Sequence, residues 1–509
     1  MALMARLKAV FCGADEERYL AAAAFAGGAA TMAVELTASR QLAPYFGASV
    51  FVWTSIIVCV LTAASVGYWF GGRLAMRNLG LRPIGLLLMG TGILAILGAL
   101  LLPVFASLAF VLLAADGRLS GVFLGSLGVS AAVFAPPVFL ATMLSPTILK
   151  RWSACRDVGL ASSRFFMVST FGSIVGTLTP TLVLVPDLGV SATVAIVAGT
   201  LLAVGLWLYS AGGGKRRLMA VLLLPLAFAV TPPFETLSGV IRRAETPYQL
   251  VRVLERDGKR YLTFNEALAV QSVYDPSDPV TGHYYDYFSL LPQLRPGHGA
   301  AHRAAIIGLA GGAAIRPYRL GAGLRPVDLT GVELDPAVTA IAEADLGLDP
   351  SSIRLVNADG RLFLRNSAGS YEAIVLDAYV NRHVAVTLAT REAFESVKDR
   401  LAPGGAMAMN VIEYVPGDPL YRSLIDTIGS VFSHIAVVHV ADSLNRIIFA
   451  SDAPLDLTAA AQSLPPELDG VRVAAMSAEA APPSGRGLLL TDDRAPVDFL
   501  SAEFSMARR

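Results

Sequence analysis

The first 234 residues of this chain and those that follow cannot belong to the same kind of fold. From Tyr19 to about Phe234, long apolar stretches alternate with short loops bearing Arg and Lys, a pattern that only a polytopic membrane domain satisfies. From about Glu235 to Arg509, short β-type runs alternate with helix-type runs. Residues 1–234 are therefore assigned to a transmembrane helical domain, 235–303 to a small β subdomain and linker helix, and 304–509 to a Rossmann-like α/β domain. Composition agrees. Hydrophobic residues make up 54%, charged residues only 16%, and mean hydropathy is +0.58, whereas ordinary soluble domains carry about 25% charged residues. Formal net charge is zero, which gives nucleic acid no electrostatic foothold. Cys12, Cys59 and Cys155 all precede the soluble part and make no metal-type cluster, so no metal is expected. The first apolar stretch is long and is followed directly by another, unlike a cleavable signal peptide.

Hydropathy marks seven candidate spans, at roughly 19–42, 49–71, 83–105, 120–147, 160–184, 189–210 and 216–233. The last is short and interrupted by Pro225. The run from Leu81 to Ala115 reads as one span plus an interfacial or re-entrant piece after Pro103. Arg73, Arg77 and Arg82, then Lys150, Arg151 and Arg156, then Lys215, Arg216 and Arg217 fall in alternate loops, while the loops around Gly47, Asp116 and Asp187 are poor in cations. This bias predicts a multi-pass protein of the cytoplasmic (inner) membrane with its N-terminus inside. Seven crossings would place the soluble domain outside, in the periplasm of a Gram-negative source. Three ionisable residues lie within spans: Glu35 and Arg40 near the end of the first, and Arg164 near the start of the fifth. Such groups pair, line a cavity, or, for arginine, reach the interface; the plain expectation is that Glu35 pairs with one of the arginines. Gly172 with Gly176 forms a GxxxG, and Pro136-Pro137 predicts a kink.

In the soluble half, alternation around Asp257-Gly258 predicts a two-residue hairpin and hence a small antiparallel sheet, with Leu250, Val253, Tyr261 and Val270 facing inward. Ala304 to Leu309, Val327 to Leu334, Ile353 to Asn357, Ala373 to Asp377, Ala406 to Val411, His434 to Ala441 and Arg446 to Ala450 read as strands. Their alternation with helical stretches predicts a parallel, doubly wound sheet with its ligand at the carboxyl ends of the first strands. Four sites fall at such ends. Gly308, Gly311 and Gly312 make the first turn, Glu333 ends the second strand where a carboxylate accepts from ribose hydroxyls, Asp359-Gly360 follows the third, and Asp377 ends the fourth. Asp359-Gly360 alone is most often just a tight turn, and Asp335 before Pro336 reads as a helix N-cap rather than a ligand contact. Together, in order, they predict a nucleoside-binding cleft.

These motifs make the chain resemble a membrane-fused member of the spermidine synthase family, which joins a bundle similar to half of a major-facilitator transporter to an aminopropyltransferase-like domain of the class I methyltransferase fold. The membrane half contributes ELTASRQLAPYFG, GYWFGGRLAMR and FFMVSTFGSIVGTLTPTLVLVPDLG. The soluble half contributes ETPYQLVRV, LAVQSVYD, YYDYFSLLP, GLAGG, GVELDP, NADGRLFL, IVLDAY, LAPGG and LTDDRAPVDFL. The resemblance implies that Gln249 and Gln271 border the site, that Gly308, Gly311, Gly312, Glu333, Asp359 and Gly360 hold the nucleoside of decarboxylated S-adenosylmethionine, and that Asp377 is the catalytic carboxylate. It implies an amine or polyamine as acceptor, met by Tyr284, Tyr285 and Asp286, and leaves room for a homodimer.

Three departures bear on the acceptor. The soluble synthases' GGGDG loop reads LAGGAA, with Ala313 in place of the acidic residue. Their DSSDP reads DAYVN, keeping Asp377 and losing the second carboxylate to Val380, and their YHE reads Tyr284, Tyr285, Asp286. A second reading stands beside the transferase: a bundle that transports or senses a polyamine or similar small cation, with a catalytically silent soluble domain.

Overall fold

Prolines and glycines set where the apolar helices end and bend. The computed structural model describes residues 14–47, 49–77, 79–109, 112, 119–155, 157–214, 238–265, 270–295, 301–380 and 383–500, and it separates into two compact units, residues 1–236 with 245–249, and the remainder.

The first unit is helical: α1 (Ala14–Phe46), α2 (Val50–Ala75), α3 (Leu81–Ala109), α4 (Leu119–Val133), α5 (Ala135–Cys155), α6 (Val158–Thr179) and α7 (Val185–Ala211). Among the described residues four helices are long and apolar enough to cross a membrane, or five if the bent pair α4–α5 is one span. That pair bends by 52° just ahead of Pro136-Pro137, where the proline pair predicts a kink. A five-residue π-helical turn beginning at Pro180 joins α6 to α7. The continuous helical run Val158–Ala211 is 54 residues, which would measure about 80 Å as one rod. Gly189 breaks it with φ 84° and ψ 170°, leaving two pieces each of bilayer length. The expected seventh span and the third basic loop lie outside the described residues.

Backbone-to-backbone packing holds α1 on α6. A Cβ on Gly28 would stand 2.2 Å from the Ser169 carbonyl oxygen, one on Gly172 2.2 Å from that of Phe25, and one on Gly176 2.2 Å from that of Ala29. The GxxxG is therefore a packing device in which the missing side chains let two helices touch. Cations and their partners gather at one end: Arg151 pairs with Glu16 and donates to the Leu79 carbonyl, Arg164 pairs with Glu17 at 2.9 Å, and Arg82 stands over the Tyr209 ring. Arg164 is thus taken up by Glu17, which lies level with it at the start of α1, and not by Glu35. Arg40 donates to the carbonyl of Pro247, and no partner of Glu35 is found among the described residues.

The second unit opens with four antiparallel strands in the order β1 (Val240–Glu245), β2 (Leu250–Arg256), β3 (Lys259–Phe264) and β4 (Val270–Tyr274). Asp257 and Gly258 turn the β2–β3 hairpin, both with positive φ (52° and 75°), the left-handed pair that a two-residue loop needs. The sheet is twice the predicted hairpin in strand number, because β1 and β4 each add an edge. Val253, Leu262, Phe264 and Val273 are buried on it, whereas Val270, expected inward, is 38% exposed. A slip of register between Leu262 and Thr263 leaves Gln271 as the extra residue of β4 and turns Val270 outward. A 3-10 helix, Tyr284–Leu294, leads to the main sheet.

That sheet is built from β5 (His302–Ile307), α8 (Ile315–Ala322), β6 (Val327–Glu333), α9 (Pro336–Asp345), β7 (Arg354–Asn357), α10 (Gly360–Asn366) and β8 (Tyr371–Leu376), then, past a short ribbon of β9 (Tyr379–Val380) and β10 (His383–Val384), α11 (Arg391–Lys398), β11 (Leu401–Ile412), α12 (Pro419–Gly429), β12 (His434–His439), β13 (Asn445–Ser451), α13 (Leu457–Gln462), α14 (Asp469–Met476), β14 (Glu479–Ala480) and α15 (Val497–Leu500). The strand order is β14-β12-β13-β11-β8-β5-β6-β7. The five strands from β7 to β11 are parallel, as the alternation predicts. The last three are antiparallel, a departure that follows from β12 and β13 being joined directly, with no helix between them to carry the chain back. Both faces are covered: Ile306, Val375 and Ala408 enter one core, and Ile307, Ile374 and Met407 the other. Burial on both sides explains the near-continuous apolar strands.

Candidate active site

The order β8-β5-β6-β7 puts the ends of four strands side by side, and hydrogen bonds tie each end to the next. Asp377 N donates to Ile307 O at 2.9 Å, Gly308 N to Val332 O at 2.9 Å, and Ala358 N to Glu333 O at 3.0 Å. Asp377, the glycine turn, Glu333 and Asp359 thereby share one edge of the sheet, the edge where open α/β sheets bind ligands.

The glycine turn is shaped by the protein itself. Gly308 has φ 88°, and a Cβ there would stand 2.5 Å from the Asp377 carbonyl oxygen. Gly312 has φ 79°, and Gly311 presses on Ser272 and Leu346. Gly360 packs on Ile307, with 2.4 Å for its absent Cβ. Glu333, nearly buried, accepts from Ala310 N at 2.9 Å and from Asp335 N at 3.1 Å. Burial raises its carboxyl above the usual range, against those backbone hydrogen bonds. The same carboxylate that would meet a ribose thus also fixes Ala310, whose φ of 47° is uncommon for a residue with a side chain. Its remaining lone pairs suit hydroxyl donors.

Asp359 is the N-cap of α10, accepting from Leu362 N at 2.9 Å, and Asp335 caps α9, accepting from Ala337 N at 3.0 Å. Asp286 is 3% exposed and turned into its own loop, accepting from Thr281 N at 3.0 Å, Thr281 Oγ1 at 2.9 Å and Gly282 N at 2.8 Å. Gln271 occupies the bulge of β4, and Gln249 closes a turn ahead of β2 with Thr246, whose Oγ1 accepts from Gln249 N at 3.0 Å.

Asp377 has neutral partners. Tyr284 donates its phenol to Oδ2 at 3.1 Å, and Asn410 Nδ2 donates to Oδ1 at 3.2 Å. Asn410 is held in turn by Asn445 Nδ2 at 2.8 Å and, through its carbonyl, by the Tyr379 phenol at 2.9 Å. Tyr284 stacks on Tyr285 with ring centroids 4.0 Å apart. Burial among these groups pushes the Asp377 carboxyl up to about 7, although the two hydrogen bonds oppose the shift. Burial and the nearby carboxylate push the Tyr284 phenol well up, so it stays a neutral donor. A carboxylate poised near neutrality is what proton abstraction from an ammonium needs.

Sequence reasoning missed Asn410, Asn445, Tyr379 and Ser272. Ser272 Oγ accepts from Gly311 N at 2.8 Å, so the small sheet touches the glycine turn directly. Its signal was its place beside Gln271 on the same strand. The Asn410–Asn445 pair carried none, because it depends on β13 lying antiparallel to β11.

No family model matches the chain. It is 27% identical over 314 residues to a probable polyamine aminopropyl transferase of Bifidobacterium longum, covering 56% of this chain and 69% of that protein. It is 28% identical over 240 residues to a polyamine aminopropyltransferase of Vibrio vulnificus, covering 45% and 78%. With polyamine aminopropyltransferase 1 of Streptomyces coelicolor it shares 25% identity over 377 residues, 67% of this chain and 65% of that one, more than the part after Phe234 can supply. A probable spermidine synthase of Corynebacterium glutamicum aligns in structure with TM-score 0.40 and 16% identity, over 49% of this chain and 92% of that one. The chain is a distant homologue of the polyamine aminopropyltransferases, with an apolar helical region ahead of its α/β unit.

Proposed function

We propose that this protein is an integral-membrane aminopropyltransferase that binds decarboxylated S-adenosylmethionine, or a closely related nucleoside, along the edge formed by β8, β5, β6 and β7, and transfers the aminopropyl group to an amine. The observation that carries this reading is the placement of Glu333 and Asp377 on adjacent parts of one strand-end ledge, with only the glycine turn between them. Glu333 would hold the ribose. Asp377 would orient the acceptor nitrogen and take its proton, with Tyr284 and Asn410 keeping the carboxylate aimed. The sulfur of the co-substrate leaves as a neutral thioether, so no general acid is required.

Isothermal titration of the purified full-length protein with decarboxylated S-adenosylmethionine, S-adenosylmethionine and methylthioadenosine tests the reading. Binding of at least one is expected; silence with all three would remove it.

We also infer that the bundle lies with its cationic end in the cytoplasm and, with seven crossings, the α/β unit outside. The clustering of Arg82, Arg151 and Arg164 with their partners at one end of the bundle supports this. A phosphatase active only outside the cytoplasm, fused after Arg509, should be active; a cytoplasm-only fluorescent reporter at the same place should stay dark. The transport or sensing alternative draws on Glu35, which has no partner among the described residues, and on the acidic residues of the resembled synthases that this sequence replaces with Ala313 and Val380. Uptake of labelled polyamine into proteoliposomes that is abolished by Glu35→Gln would favour it.

A further inference from the structure

We propose that Asn445 is a positioning residue for the proton transfer: through Asn410 it keeps a donor fixed on Oδ1 of Asp377 and so leaves Oδ2 as the oxygen that takes the proton from the acceptor amine. This rests on the transferase reading above and deepens it.

Register brings the two amides together. β11 and β13 run antiparallel with Asn410 opposite Ile447 and Ile412 opposite Asn445, so Asn410 and Asn445 are diagonal neighbours on one face of the sheet. Asn410 is 2% exposed, which gives water little access to replace a partner. The backbone sets the direction of the chain of hydrogen bonds. Asn445 N donates to Ser443 Oγ at 3.1 Å, which leaves the hydroxyl hydrogen for Asn445 Oδ1 at 2.6 Å. Asn445 must then turn its Nδ2 toward Asn410 Oδ1, at 2.8 Å, and Asn410 its Nδ2 toward Asp377 Oδ1, at 3.2 Å. Reversing Asn410 alone would set its amide hydrogens against those of Asn445, so it stays a donor whether Asp377 is ionised or protonated.

The other oxygen has a partner that can turn. Tyr284 donates to Oδ2 at 3.1 Å, and a hydroxyl rotates about its C–O bond, so the phenol that donates to the carboxylate can accept from the acid. In the transfer step an N–H bond of the acceptor's ammonium breaks and the proton forms an O–H bond at Oδ2. The electron pair stays on nitrogen, as the lone pair that attacks the co-substrate. Without Asn445, Asn410 is free to reverse and accept from an Oδ1–H, which stabilises the protonated acid and weakens the base. The titratable groups that face Asp377 among the described residues are phenols, Tyr284 and Tyr285 from the 3-10 helix and Tyr379 from β9, and burial keeps all three neutral. Near neutral pH a shift in this cluster therefore reports Asp377 itself.

The test compares the purified full-length protein with Asn445→Leu, Asn410→Leu and the double variant, following methylthioadenosine release from decarboxylated S-adenosylmethionine and 1,4-diaminobutane across pH. Asn410→Leu is expected to move the acid limb of kcat/KM upward by about one pH unit, and Asn445→Leu by about half a unit or more. The double variant should move it no further than Asn410→Leu alone, and methylthioadenosine binding should be unchanged throughout. A lowered rate with an unmoved limb in Asn445→Leu, or shifts that add in the double variant, overturns the proposal. Ser443→Ala, which frees the far end of the chain, should move the limb the same way; if the leucine variants fail to fold, an unmoved limb there overturns it equally. Thermal melts give a readout that needs no turnover. The melting deficit of Asn445→Leu should grow from about pH 6 to about pH 9, because a carboxyl with a raised pKa is costlier to hold ionised, and the growth should vanish on the Asp377→Asn background. A deficit that ignores pH overturns the proposal. Absence of turnover in the unmodified protein removes the transferase reading instead, and the melts still decide whether Asn445 acts on Asp377.

Discussion

The Tyr284 phenol reaches Oδ2 of Asp377 at 3.1 Å across 93 residues of sequence, so the 3-10 helix and the end of β8 are joined at a carboxylate held by two neutral side-chain donors. Asp377 ordinarily titrates near 3.8 and here is pushed up to about 7 by burial. Between these values the native state holds a proton that the unfolded state has released, so the group's contribution to stability falls as pH rises through that window. The cost is fully present above about pH 7 and absent below about pH 4. Asp377→Asn should therefore stabilise the protein at pH 8 by roughly 1–3 kcal/mol, a figure discounted for residual solvent contact, and change little at pH 4. Transfer activity should fall by about a hundredfold or more. Thermal melts at the two pH values, with rate measurements, check both; equal melting shifts at both would refute the burial argument.

Tyr284→Phe keeps the ring stack and removes only the donor. Losing a hydrogen bond to an anion should raise the Asp377 pKa further, moving the acid limb of kcat/KM upward by roughly one pH unit. A lowered rate with an unmoved midpoint would mean that the tyrosine serves packing alone.

How much of this was readable in the sequence differs by element. Glu333 and Asp377 were legible because strand ends in an alternating βα pattern fall on one edge whatever the details of packing. Asp257-Gly258 was legible because only a few residue pairs adopt its backbone. The inward face of β4 was not, since one bulge residue at Gln271 reverses every side chain before it. Nor was the fate of Asp286, for a buried carboxylate that closes a turn and one that faces a ligand look the same until their donors are known. The Arg164–Glu17 pair was not legible either, because Glu17 lies 147 residues away and just outside the predicted span.

Ser272 is expected to matter more than a lone strand serine would. Its hydroxyl satisfies the buried Gly311 N–H at 2.8 Å, and Ser272→Ala leaves that donor without a partner, at a cost of about 1–3 kcal/mol. Methylthioadenosine affinity should fall together with thermal stability, because the turn that loosens is the one beside the nucleoside. Unchanged affinity in a destabilised variant would show that the turn holds its shape without the small sheet.

The helix contact at Gly172 gives a prediction independent of any substrate. An added methyl there would stand 2.2 Å from the Phe25 carbonyl oxygen and 2.9 Å from its carbon, both backbone atoms that no rotamer change can move. Gly72, on α2, is the control, since nothing lies within 4 Å of its absent Cβ. Gly→Ala in a helix is by itself favourable by roughly 0.5–1 kcal/mol. Gly72→Ala should thus leave the detergent-solubilised protein as stable or slightly more so. Gly172→Ala must push α1 and α6 apart, losing dispersion contacts along both, and should lower the melting temperature and the yield of folded protein. Equal behaviour of the two variants in a melt followed by size-exclusion chromatography would mean that α1 and α6 do not meet at this glycine.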